Sequence, residues 1–211
     1  MSDNIYIEKI IKSRIEGRCV LILSDNSSIY SLIETILRLG LNKGTVINPE
    51  HQEIITDELQ IQKLKSAAFR LSEGFARSEY QIISKLKQKG FDYHKILEVI
   101  KHLKNLNLIN DEKFAYNFIN LSLKKKFGIN RIKIELNRRK VKPNDYLHLI
   151  EDFFDEETEM NTCLEQATKK LRLLNKKNPI QKKDSLFRFL INKGFEIQTI
   201  KSVIEQLKPS F

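Results

Sequence analysis

Arg77–Leu108 reads RSEYQIISKLKQKGFDYHKILEVIKHLKNLNL, and this stretch decides the fold because a version of it returns twice before the chain ends. Ser78 precedes a run in which Ile82, Ile83 and Leu86 recur at helical spacing, so its hydroxyl is placed to cap a helix by accepting from orphan N–H groups. Gly90 ends that helix. A left-handed residue past a helix C-terminus costs glycine little, and Phe91 then packs back onto the apolar face. Asp92 caps a second helix striped by Ile96, Val99, Ile100 and Leu103.

The copies align without gaps: Lys85–Leu103 matches Glu135–Phe153 and Phe189–Leu207. Leu86, Leu136 and Leu190 coincide, as do Phe91, Val141 and Phe195, and Ile100, Ile150 and Ile204. Gly90 and Gly194 match, with Lys140 at that position in the middle copy. Each copy follows its own helical stretch, Leu64–Phe75, Glu112–Phe127 and Glu156–Asn175. One apolar stripe per helix implies units built around a shared core, and tandem copies imply stacking. The expected fold is mainly α: three tandem three-helix repeats, residues 59–108, 109–154 and 155–211, forming an elongated array after a small β-containing α/β module at residues 1–58.

Within that N-terminal module Cys19–Leu23 is a β-leaning run closed by the turn-like Ser24–Ser28. Ile29–Leu39 has helical spacing up to Gly40, while Gly44–Asn48 and Glu53–Thr56 read as strands on either side of Pro49. A long helix is expected from about Leu59 to Phe75.

Composition bounds the class. Hydrophobic residues make up 41% and charged residues 30%, which places the chain among globular rather than disordered sequences. No apolar run approaches a membrane span, and the N-terminus lacks the basic-then-apolar pattern of a signal peptide, so a cytoplasmic protein is expected. Cys19 and Cys163 stand far apart, outside metal-ligand spacing, and read as buried reduced thiols.

The net charge of +10 is uneven: residues 1–60 carry −3 and residues 61–211 carry +13. The surplus therefore belongs to the repeats and suits an anionic partner, although simple solubility also explains lysine-rich surfaces. Catalytic motifs are missing. Gly40–Gly44 lacks the spacing of a phosphate loop, no HExxH or GxSxG occurs, and His94 and His102, eight apart, have no third ligand nearby. No catalytic residue, metal or cofactor is expected. Asp155, Glu156, Glu157 and Glu159 open a helix, where acids favour its positive end.

The basic residues are the better candidates. On a helix capped by Asn130, the side chains of Arg131, Lys133, Arg138, Arg139 and Lys140 are expected outward, with Ile132, Leu136 and Ile134 left for the core; Lys124, Lys125 and Lys126 lie just upstream. In the third repeat Lys169, Lys170, Arg172, Lys176 and Lys177 precede Lys182, Lys183 and Arg188, and Lys169, Arg172 and Lys176 share one helical stripe. Such clusters fit phosphates or an acidic groove, and a solvated face is the rival reading. Phe69, Phe114, Phe118, Phe153, Phe187 and Phe195 fall at apolar-face positions and are expected in the core rather than as base-stacking platforms.

Three short motifs, in order, resemble a known family. Arg77-Ser78 followed by Lys85-Leu86 and Lys89-Gly90, then Leu108-Ile-Asn-Asp-Glu-Lys-Phe-Ala115, then Phe127-Gly-Ile-Asn-Arg-Ile-Lys-Ile-Glu-Leu136, are similar to the repeats and junction of the RecX family, regulators of the RecA recombinase. Gln81, Asn110 and Lys140 depart from that pattern, where the family commonly has Glu, Asp and Gly. The resemblance implies a non-enzymatic protein, expected as a monomer, that lies along the RecA–DNA filament, meets DNA directly or through the filament, and limits ATP hydrolysis and strand exchange. Residues 1–60 carry no matching motif. Two other readings stand beside it: a stand-alone helical nucleic-acid-binding protein, against which the Glu98–Leu106 region is not consistently basic, and a protein–protein scaffold.

Overall fold

Alternation of apolar and polar residues builds a small sheet at the N-terminus. In the computed structural model, which describes residues 5–174 and 178–207, β1 (Ile7–Lys12), β2 (Arg18–Leu23) and β3 (Ser28–Leu32) form an antiparallel meander in the order β1-β2-β3. Cys19, Leu21 and Leu23 alternate inward along β2 and share a core with Ile7, Ile36, Leu41, Ile47 and Ile55. Asn26, with φ at 64°, sits in the turn joining β2 to β3.

Three expectations for this module are corrected. The helical spacing read over Ile29–Leu39 is split: β-strand pairing with β2 claims the segment up to Leu32, and only α1 (Ile33–Arg38) is helical. Gly44–Asn48 makes a single bridge, Tyr6 to Val46, rather than a strand. Glu53–Thr56 is helical, because Asn48 accepts a hydrogen bond from the His51 N–H at 2.7 Å and Pro49 follows at the first helical position, starting α2 (Pro49–Ser72) ten residues earlier than expected. Helix α2 crosses positions 58 and 59 without a break: Ile55 packs in the module core, and Leu64, Ala67 and Ala68 pack in the next.

The helices of the repeats follow their stripes and caps. The first unit joins the C-terminal half of α2 to α3 (Glu79–Gln88) and α4 (Tyr93–Asn105) around Leu64, Ala68, Ile82, Leu86, Ile96 and Ile100. The second comprises α5 (Asp111–Lys124), α6 (Ile129–Arg138), a 3-10 turn at Pro143–Asp145 and α7 (Leu147–Phe153), around Phe114, Ile119, Ile132, Leu136 and Ile150. The third comprises α8 (Glu156–Arg172), α9 (Pro179–Lys193) and α10 (Ile197–Gln206), around Cys163, Ala167, Leu186, Leu190, Phe195 and Ile200. Cys19 and Cys163 are free and buried, and burial pushes the Cys163 thiol up to about 12.

The four apolar clusters stay separate, one for the sheet module and one for each helical unit. The accessible surface is 13825 Å². A compact monomer of this mass would expose roughly 10,000 Å². The excess surface and the divided core are those of an elongated array of stacked units.

Candidate functional site

The candidate cations lie on the second and third units, and their fate depends on how those units are joined. In the repeat register Ser78 corresponds to Gly128, Glu79 to Ile129, and Arg139 to Lys193. The joints obey that register. At the first, the Ser78 hydroxyl donates to the Arg139 carbonyl at 2.8 Å while it also accepts from the Gln81 N–H, so one buried serine caps α3 and holds the C-terminal end of α6. At the second, the Gly128 N–H donates to the Lys193 carbonyl at 2.9 Å and the Asn130 N–H to the Gly194 carbonyl at 3.0 Å. The negative C-terminal end of each unit's second helix thus meets the positive N-terminal end of the second helix before it.

A carboxylate completes each joint. Asp111, first residue of α5, accepts from the Glu79 N–H at 2.7 Å. Glu159 on α8, only 9% exposed, faces the N–H groups of Ile129 and Glu196, although its Oε1 lacks a hydrogen bond of regular geometry among the described residues. Burial pushes both carboxyl groups above their ordinary range; Glu79 and Asp145 add to the rise at Asp111, and Glu196 at Glu159.

Contacts within and between the units engage several predicted cations. Arg131 stacks on the Phe127 ring at 4.0 Å and donates to the Asn192 carbonyl at 3.0 Å, bridging the second and third units. Arg139 pairs with Glu135 and lies over Phe118. Lys126 and Lys169 share Glu165, at 3.3 Å and 2.6 Å, and the hydrogen bond from Lys169 leads in holding that carboxyl below its usual range. Lys170 is half-buried over Phe189, and half-buried Lys133 lies close enough to Glu159 for its charge to favour the carboxylate.

The remainder face solvent. Among the described residues no acid pairs with Lys124, Lys125, Lys140, Arg172 or Arg188, all exposed, and Arg138 keeps only a loose contact with Glu135 at 3.8 Å, its side chain 80% exposed. Lys176 and Lys177 lie outside the described residues, so the stripe from Lys169 through Arg172 is seen only to Arg172.

Corrections follow from packing. Asn130 is not the cap of α6; Gly128 holds that position, and the Asn130 N–H serves the second joint. Ile134 points outward, 64% exposed, because Ile132 and Leu136 already fill the inner face. Phe69 is 47% exposed on α2, whereas Phe114 and Phe195 are buried and Phe118, Phe153 and Phe187 pack half-buried at their cores.

Comparison with known proteins settles the family. The profile of the RecX third three-helix domain matches residues 157–204. A protein from Clostridium perfringens (strain 13 / Type A) named "Regulatory protein RecX" is 35% identical over 176 residues, covering 82% of each chain. The chain belongs to the RecX family. A RecX from Clostridium botulinum (strain Eklund 17B / Type B) is 29% identical over 198 residues, covering 93% of this chain and 92% of that protein. Its architecture is similar to a solved RecX crystal structure at a TM-score of 0.71 and 21% identity, covering 97% of this chain and 99% of that one. The RecX structure from Lactobacillus salivarius gives 0.61 and 21%, over 71% of this chain.

Against the RecX pattern each departure keeps its geometry. Gln81 returns its side chain to the Ser78 N–H at 3.1 Å, closing a capping box as a glutamate would. Asn110 caps α5 by accepting from the Lys113 N–H at 2.9 Å. Lys140 takes the left-handed conformation, φ 56°, that glycine fills in the other copies.

Proposed function

We propose that this RecX-family chain is a regulatory rather than catalytic protein, which binds the RecA–DNA filament and restrains its ATP hydrolysis and strand exchange. Family membership carries this reading, and the relatives are themselves named regulatory proteins. The surface supports it in kind: an elongated array presents exposed cations on two successive units, a form suited to a polyanionic filament longer than itself. Lys124, Lys125, Arg138, Lys140, Arg172 and Arg188 make the contacts in this reading, because the other candidate cations among the described residues are engaged within the fold. Residues 1–58, 59–108, 109–154 and 155–211 serve as its working divisions.

The test is a titration of the protein into RecA hydrolysing ATP on single-stranded DNA. Inhibition near stoichiometric ratios is expected, and a flat rate over a wide range overturns the proposal. Steep salt dependence on naked DNA with base preference, without an effect on RecA, would favour stand-alone nucleic-acid binding instead.

A further inference from the structure

Nothing apolar runs continuously through the array. Its four clusters are separate: α2 runs unbroken from the sheet module into the first helical unit, and at the two joints between helical units polar contacts stand beside close backbone and ring packing. Two buried carboxylates stand at matching places in the joints. Asp111 in the first helix of the second unit accepts from the Glu79 N–H, and Glu159 in the first helix of the third unit lies beside Ile129, the residue equivalent to Glu79.

We propose that Asp111 and Glu159 are positioning residues that fix the angle between consecutive units and, through it, the spacing of the exposed cations. The first half stands on the joint geometry alone; only the second rests on the function proposed above.

Four observations carry it. Each carboxylate leaves its own helix to meet the N-terminal end of a helix in the preceding unit, where orphan N–H groups and the helix dipole both favour an anion. Glu159 is buried beside the N-terminal ends of both α6 and α10, next to Ile129 and Glu196, so it sits between one helix of its own unit and one of its neighbour. Neither site is a favourable place to leave a charge: burial works against ionisation at both, so the pair costs stability at neutral pH while it fixes position. A cavity of about 210 Å³ bordered by Phe127, Phe153, Phe154 and Phe195 lies against Glu159 and gives a loosened joint room to close.

The test measures distance in the free protein. Spin labels at Lys101→Cys on α4 and Lys201→Cys on α10 sit on exposed positions, while Cys19 and Cys163 are buried from the reagent. Pulsed dipolar spectroscopy should give one narrow distribution in the parent. Asp111→Ala and Glu159→Leu should lose that single peak, and Asp111→Asn, which keeps an acceptor for the one N–H, should restore it. Glu159→Gln can serve only one of its two N–H groups and should fall between, with a thermal midpoint no lower than the parent's. A broad parent distribution, or an unchanged narrow peak in folded Asp111→Ala or Glu159→Leu protein, overturns the proposal. Because no recombinase is present, this result is independent of whether the protein inhibits RecA.

Discussion

Gly128 and Gly194 meet backbone to backbone across the second joint. A Cβ on Gly128 would overlap the Gly194 carbonyl, and one on Gly194 would overlap the Arg131 backbone and Cβ. The backbone angle at Gly128, φ −77°, suits any residue, so space alone demands glycine there; Gly194 needs both the space and its φ of 90°.

Gly128→Ala should therefore act as an overpacking mutation at the joint, costing about 1–3 kcal/mol without unfolding the unit cores. The third unit should lose its protection in hydrogen exchange first, around Gly128–Asn130 and Lys193–Phe195. Unchanged exchange in those segments would mean that the joint relaxes without cost.

Lys140→Gly should stabilise the chain. The lysine holds φ 56° at a position where the other two copies have glycine, and relieving that conformation is worth about 1 kcal/mol against the extra backbone freedom glycine brings to the unfolded state. Denaturant unfolding should show a higher midpoint with an unchanged slope. The same change removes an exposed cation, so filament binding should weaken modestly while stability rises.

The acids divide by sign. A hydrogen bond from Arg139 leads in holding Glu135 below its ordinary value of 4.5, so its stabilisation is present above that pH and is lost as pH falls through the lowered folded-state value. Burial leads in raising Glu159 above 4.5, so its contribution is fully present below 4.5 and is lost as pH rises through the raised value. Glu135→Gln should flatten the acid limb of the stability profile, and Glu159→Gln should flatten the decline above pH 4.5. Opposite slopes in the two variants would refute these environments.

Exposed cations should behave as phosphate contacts. Each one removed among Arg138, Arg172 and Arg188 should lower the slope of log affinity against log salt by roughly 0.7–0.9, if it meets a phosphate. Arg131→Ala should instead weaken the joint between the second and third units and show in hydrogen exchange, since its guanidinium lies on Phe127 and the Asn192 carbonyl.

The repeat architecture was legible because its signals are local. Leu86, Leu136 and Leu190 fall in register and are all fully buried, and Ser78 and Asp92 cap the helices they precede. In the N-terminal module tertiary pairing overrides local pattern: Ile29–Leu39 has apolar spacing compatible with a helix, but pairing with β2 makes its first four residues strand. The cations were legible as a class and not one by one. Nothing near Arg131 in sequence shows that Asn192 lies beside it, and Glu159 read as one more acid at a helix start. The signal that would have found the joints was the family-like spacing itself, since Ser78, Asp111, Gly128 and Arg131 all lie in the quoted motifs and all serve joints.

The most direct test of the account is RecA ATP hydrolysis on single-stranded DNA titrated with the parent protein, with an Arg138→Glu/Arg172→Glu/Arg188→Glu variant, and with an Arg139→Gln/Lys169→Gln variant. Inhibition by the parent is expected near stoichiometric ratios, with a shift to roughly tenfold or higher concentration for the first variant, equivalent to about 1.4 kcal/mol of lost binding, and a smaller shift for the second, whose cations are engaged with Glu135 and Glu165. No inhibition by the parent at any ratio, or equal inhibition by the parent and the charge-reversed protein, would contradict it.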